Sequence, residues 1–266
     1  MPGYVARVDT DAITALLRQV AEEVVNPRFR ALADDEVAEK GPGDLVTVAD
    51  REAEARITEA LTRAYPDAVV LGEEASAGDP TLAGRFRTAG HAFTVDPVDG
   101  TKNFVAGKAD HAMMVAEVRG GEVVRSWIWQ PQHERAYVAE RGAGAWCNGE
   151  RLRRPPVGEE LRGITSRRSW IGRALGTLRA LELTWVCCGV DYPKLVEGAA
   201  DYALFRRPNP WDHAPGSLLL SEAGGHVGTF DGATYRAQDV PAAGIVAAAD
   251  RSTYDLVQGL LGSLVR

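Results

Sequence analysis

The stretch Ala92-Phe93-Thr94-Val95-Asp96-Pro97-Val98-Asp99-Gly100-Thr101-Lys102-Asn103-Phe104 runs an apolar segment straight into two carboxylates three residues apart, then a glycine, a hydroxyl and a lysine. Phe93–Val95 predicts a strand. A strand ending in such a turn projects two hard oxygen ligands toward one point, beside backbone amides free to meet an anion. Divalent-metal phosphate chemistry uses that combination, because magnesium takes a few carboxylates together with water and substrate phosphate. Gly100 carries no Cβ, so those amides can approach a phosphate oxygen closely.

Two further acidic clusters stand at element ends. Upstream, Ala68–Leu71 predicts a short strand capped by Gly72-Glu73-Glu74. Downstream, Pro208-Asn209-Pro210 delivers the chain into Trp211-Asp212-His213, followed by a buried helix over Ala214–Ala223 that Gly224-Gly225 ends. Acids converging from these three segments can hold two or three magnesium ions, and ions about 3.5–4 Å apart serve both the attacking and leaving oxygens of an in-line displacement. Taken singly, each piece has a plainer reading: a surface turn for Asp96/Asp99, a solvated pair for Glu73-Glu74, a helix cap for Asp212. An EF-hand loop is excluded, since Val98 and Gly100 fall where that loop needs oxygen side chains. No Walker-type glycine loop is present.

Working outward, Asp9 or Thr10 caps a first helix whose apolar residues Ile13, Leu16, Leu17, Val20 and Val24 share a face, with Pro27 as its stop. Residues 39–44 are expected as a loop. A second helix starts near Asp50, buries Ala53, Ile57, Ala60, Leu61 and Ala64, and ends at Pro66. Residues 75–90 are expected as a surface loop. Ala112–Val118 and Val123–Trp129 predict strands joined by the hairpin Arg119-Gly120-Gly121-Glu122, and Ala136–Ala139 continues the sheet. Leu152–Glu160, with Pro155 and Pro156, divides the chain into halves 1–152 and 153–266. The second half is expected to hold a helix over Ile171–Leu181, a strand over Thr184–Cys188 and a helix over Pro193–Ala199. Strands in both halves with helices between them favour a layered mixed α/β (α+β) architecture.

Composition narrows the partners. The chain has 266 residues, 45% hydrophobic and 25% charged, with a formal net charge of −7. That balance disfavours nucleic acid and anionic membrane surfaces. Cys147, Cys187 and Cys188 form neither a disulfide framework nor a spaced zinc site. With no signal-peptide pattern in Met1–Asp11 and no spanning-length apolar run, a cytoplasmic location is expected.

Gly72-Glu73-Glu74, Asp96-Pro97-Val98-Asp99-Gly100-Thr101 and Trp211-Asp212 through Glu222-Ala223-Gly224-Gly225 together resemble the inositol monophosphatase family, in its order and at its separations. Asp44-Leu45-Val46-Thr47 with Asp50, and Gly142, Gly144 and Cys147-Asn148-Gly149, extend the resemblance over about residues 10 to 250. It implies a five-layer αβαβα sandwich of the inositol monophosphatase and fructose-1,6-bisphosphatase type, a homodimer that hydrolyses a small phosphorylated metabolite with Mg²⁺. By position, Glu73, Asp96 and the Val98 carbonyl would hold one ion, and Asp96, Asp99 and Asp212 a second. A third would lean on Glu73, which joins Thr101 and Asp50 in the catalytic set. Asp50 would polarise Thr101, a poor base unaided. Asp99, Gly100, Thr101, Lys102, Asp212 and Lys40 would line the substrate, Lys40 standing one residue nearer Asp44 than the family's lysine.

The chain departs from the family at the substrate rim. Seven residues before Asp212, where inositol-specific members carry an acid, stands Phe205, followed by Arg206 and Arg207. A phenyl ring accepts no hydroxyl hydrogen bond, whereas the arginines can meet a second phosphate or carboxylate. Inositol monophosphate leads the substrates implied. Histidinol phosphate, fructose 1,6-bisphosphate and a 3′,5′-bisphosphonucleotide are alternatives, and a non-catalytic family member is a remote one.

Overall fold

The computed structural model describes residues 10–41, 43–239 and 243–265, so the expected cap Asp9 and one residue of the expected loop 39–44, Pro42, lie outside the described residues. Helix α1 (Thr10–Val20) turns Ile13, Leu17 and Val20 inward, and continues through a π turn and a 3-10 turn that takes in Pro27. Strands β1 (Val37–Gly41) and β2 (Asp44–Thr47) pair antiparallel. The expected loop over 39–44 is therefore the end of a hairpin, and Lys40 sits on a strand. Helix α2 (Val48–Ala64) opens on a capping box, in which Thr47 accepts from the Asp50 amide and Asp50 accepts from the Thr47 amide.

A seven-stranded sheet follows, with order β3-β4-β5-β6-β7-β8-β9. It consists of β3 (Val69–Gly72), β4 (His91–Asp99), β5 (Ala112–Arg119), β6 (Glu122–Gln130), β7 (Arg135–Glu140), β8 (Gly144–Cys147) and β9 (Glu150–Leu152). Between β3 and β4, the expected loop 75–90 folds instead into α3 (Glu73–Gly78) and α4 (Leu82–Thr88), since Leu82 and Phe86, one turn apart, bury together against the sheet. Helix α5 (Thr101–Val105) follows β4. The hairpin β5–β6 turns at Gly120 and Gly121, both at positive φ, as its two-residue turn requires.

The second sheet has order β11-β10-β12-β14-β13, from β10 (Gly163–Thr165), β11 (Glu182–Leu183), β12 (Tyr202–Phe205), β13 (His226–Thr229) and β14 (Ile245–Ala248). Its helices are α6 (Cys188–Val196), α7 (Pro210–Glu222) and α8 (Arg251–Leu260). Three expectations fail here. Ile171–Leu181 is no helix: Gly172 and Gly176 take positive φ, and the Gly172 and Leu181 amides close a loop onto the Leu181 and Arg173 carbonyls. The strand stops at Leu183, because Val186 adopts φ 62° and Asp191 draws in the Trp185 amide at 2.7 Å. The expected helix 193–199 begins earlier, at Cys188, and ends at Val196 before Gly198. Pro193 inside it frees the Gly189 carbonyl, which accepts instead from Gln130 Nε2 at 2.7 Å.

The layers run α1/α2, seven-stranded sheet, α6/α7, five-stranded sheet, α8, the expected five-layer αβαβα sandwich. Strand β5 shows why the middle layers read as unbroken apolar runs. Met113 and Val115 pack into the α1/α2 core, Met114 and Ala116 into the α6/α7 core. Trp127 and Trp129 join the first of these cores.

Candidate active site

In a regular strand, residues three apart point to opposite faces, so Asp96 and Asp99 need a local irregularity to converge. Pro97 supplies it, having no N–H for the ladder. The β4–β5 register shifts between Asp96 and Asp99, a bulge that turns both carboxylates to one side. Asp212 joins them from the first turn of α7, which Pro210 starts. Ligand oxygens of Asp96, Asp99 and Asp212 all lie within 4.8 Å of one another.

Such crowding is costly for three carboxylates, of which Asp96 and Asp99 are buried and Asp212 half-buried. Burial, then the charges of Glu73, Asp99 and Asp212, push the Asp96 carboxyl well above its usual range. Burial and the Asp99 and Glu73 charges do the same to Asp212, against an opposing hydrogen bond from Asn209 Nδ2 at 3.1 Å. Asp99 rises to about 6 through burial, restrained by the Gly189 amide and the Cys187 thiol, which donate to its Oδ2. Asp96 Oδ1 is buried and has no hydrogen-bond partner among the described residues. An all-oxygen donor set with an orphaned buried oxygen and mutual repulsion fits a hard divalent cation.

Gly100, at φ 82°, turns the chain from β4 into α5, whose first residue is Thr101. A Cβ there would meet Cys187 Cβ at 3.0 Å and the Asp110 carbonyl at 3.1 Å, so only glycine suits the position. Thr101 Oγ1 lies 3.3 Å from Asp50 Oδ1 and 3.1 Å from the Val98 carbonyl oxygen, with one proton to give. Asp50 is held by Thr47 through its other oxygen, and burial raises it to about 7. The β1–β2 hairpin brings Lys40 Nζ to 2.8 Å from Glu73 and 2.7 Å from Glu74. Burial opposes its charge, but those carboxylates hold the Lys40 ammonium above its ordinary value.

These groups line one cleft of about 700 Å³, which includes Lys40, Glu73, Asp96, Val98, Asp99, Gly100, Thr101, Lys102 and Asp212. Two expectations are corrected. Phe205 is 1% exposed, stacked on Tyr192 and packed against His213, and so cannot touch substrate. Arg206 turns away to donate to the Ala243 carbonyl. Arg207 lines the cleft, with Ser166 and Arg168 from the end of β10.

Sequence reasoning missed Glu54, Cys187 and Arg168. Glu54 is buried on α2, accepts from the Glu74 and Ala75 amides at 2.7 Å each, and so fixes the turn that carries Glu73. Burial raises it to about 7. The available signal was its spacing: Glu54 follows Asp50 by four residues and precedes Ile57 on the buried stripe of α2.

The family model described as the inositol monophosphatase family matches residues 6–265. The chain is 34% identical over 227 residues to the inositol-1-monophosphatase of Mesorhizobium japonicum, covering 77% of this chain and 79% of that one. It is 31% identical over 206 residues to the fructose-1,6-bisphosphatase/inositol-1-monophosphatase of Thermotoga maritima, covering 74% and 77%. Among solved structures, a Thermotoga maritima IMPase superposes with a TM-score of 0.79 at 28% identity, over 96% of this chain and 97% of that one.

Proposed function

This chain belongs to the inositol monophosphatase family, whose members hydrolyse phosphate monoesters, and on that premise we propose that it is a Mg²⁺-dependent phosphomonoesterase acting on a small phosphorylated polyol. Inositol monophosphate heads the candidate substrates. The observation that carries this is the knot of Asp96, Asp99 and Asp212 with its orphaned Asp96 oxygen, at the floor of an open cleft.

Glu73, Asp96 and the Val98 carbonyl would hold one ion, Asp96, Asp99 and Asp212 a second, and Glu73 would support a third. When bound, magnesium supplies Lewis-acid charge to the phosphate and its attacking water. Thr101 would accept a proton from that water while passing its own to Asp50 Oδ1, 3.3 Å away. An Asp50 pKa of about 7 suits an acceptor working near neutrality. The Gly100 and Thr101 amides would face the phosphate, and Lys102, whose Nζ lies beside Gly43 at the hairpin tip, would add a cation at its edge. Lys40 would position Glu73 through their ion pair.

The test is phosphate release from inositol 1-phosphate, histidinol phosphate, fructose 1,6-bisphosphate and adenosine 3′,5′-bisphosphate, in Mg²⁺ and in EDTA. Release from at least one ester that EDTA abolishes is expected. No metal-dependent release across the panel would favour a non-catalytic member of the family.

A further inference from the structure

Two arginine pairs leave the five-stranded sheet at the cleft. Strands β10 and β12 run parallel, with Thr165 paired to Leu204. Arg167-Arg168 follows Thr165 after one residue, and Arg206-Arg207 follows Leu204 after one residue. Arg168 and Arg207 therefore each stand three residues past the same register point, just beyond the ends of two neighbouring parallel strands and on the same cleft. The first arginine of each pair is tied to the protein. Arg167 Nε donates to Ser169 Oγ at 2.9 Å and its guanidinium covers the Trp170 ring, while Arg206 donates to the Ala243 carbonyl. The second arginine of each pair lines the cleft, exposed, with no side-chain hydrogen bond or ion pair among the described residues.

The carboxylates of the cleft are all engaged elsewhere. Asp96, Asp99, Asp212 and Glu73 form the acidic floor, and Asp191 is buried against the Trp185 amide. No free acid remains on the described rim to accept from polyol hydroxyls, whereas two guanidinium forks stand open. Guanidinium groups bind phosphate and carboxylate through paired N–H donors.

We propose that Arg168 and Arg207 form a subsite for a second anionic group, so that the preferred substrate is a phosphate ester carrying another phosphate or a carboxylate away from the scissile bond. This rests on the phosphatase function proposed above and moves its preferred substrate from inositol monophosphate to esters with a second anionic group. One end of the substrate lies on the acidic floor with its metal ions, the other between the two arginines.

The experiment compares matched esters with the enzyme in Mg²⁺. Fructose 1,6-bisphosphate against fructose 1-phosphate tests a second phosphate, and 3-phosphoglycerate against glycerol 3-phosphate tests a carboxylate. The member of at least one pair that carries the second anionic group should show kcat/KM at least tenfold higher, mainly through KM, and added salt should shrink that ratio. In the double variant Arg168→Ala/Arg207→Ala the ratio should fall at least tenfold. The double lysine variant should recover part of it, because a point charge replaces the fork. Ratios near one in both pairs, or a ratio unchanged in the alanine variant, overturn the subsite while leaving the phosphatase standing. Absence of release from every ester, the simple monophosphates included, removes both.

Discussion

Replacing Gly72 by alanine would place a methyl group 2.3–2.6 Å from the three carboxyl atoms of Glu54, far inside van der Waals contact. The carboxylate cannot stay. Its two hydrogen bonds, from the Glu74 and Ala75 amides, would be lost as it swings away. Hydrogen bonds to a charged group contribute about 1.5–3 kcal/mol each, so a net cost of roughly 3–5 kcal/mol is expected. At about 2–4 °C per kcal/mol for chains approaching this size, Tm should fall by roughly 10 °C. Because Glu73 rides on the same turn, the Mg²⁺ concentration for half-maximal activity should rise as well. A double-mutant cycle isolates the contact: in a Glu54→Ala background, Gly72→Ala should cost less than about 1 kcal/mol, since the space is then free. Thermal melts and Mg²⁺ titrations of the four proteins decide it. An equal penalty for Gly72→Ala in both backgrounds would refute the clash and the positioning role of Glu54 together.

Thr101→Ala should lower kcat by at least about a hundredfold, the lower end of general acid–base contributions, and leave KM within twofold. A change confined to KM would remove Thr101 from proton transfer. His111 is buried between Phe29 and Phe104, with Nε2 unpartnered among the described residues, and burial lowers its pKa to about 4. Its neutral form is the one the fold prefers. Its contribution is therefore complete above the unfolded value near 6.5 and is lost as pH falls toward 4. Urea midpoints should drop between pH 7 and pH 5 more steeply for wild type than for His111→Phe, and parallel profiles would contradict the assignment.

Most of the candidate site was legible because its acids stand where the composition of the sequence changes abruptly. Asp50 and Asp212 stand in the first turns of helices and Asp99 ends β4, but Asp96, expected in a turn after Phe93–Val95, lies inside β4 and meets Asp99 through the bulge at Pro97, which the local pattern did not show. Other parts depended on pairing that no local pattern carries. Phe205 was expected at the rim because it stands seven residues before Asp212, where inositol-specific relatives carry an acid, yet β12 is buried on both faces, so alternation does not distinguish inside from outside. Arg168 became part of the cleft only through the pairing of Thr165 with Leu204, 39 residues further along. Ile171, Leu175, Leu178 and Leu181 have helical spacing, but Gly172 and Gly176 adopt φ values that a helix excludes. There the backbone freedom of glycine overrode the side-chain pattern.

The most direct measurement is Mg²⁺ binding and phosphate release in parallel for wild type and Asp96→Asn. The buried Asp96 carboxylate, central to the acidic cluster, should make both fail together: Mg²⁺ affinity lowered at least about tenfold, as for loss of a metal-site group, and turnover reduced to near background even at saturating metal. Unchanged Mg²⁺ affinity with unchanged turnover in Asp96→Asn would contradict the assignment of Asp96, Asp99 and Asp212 as the metal centre.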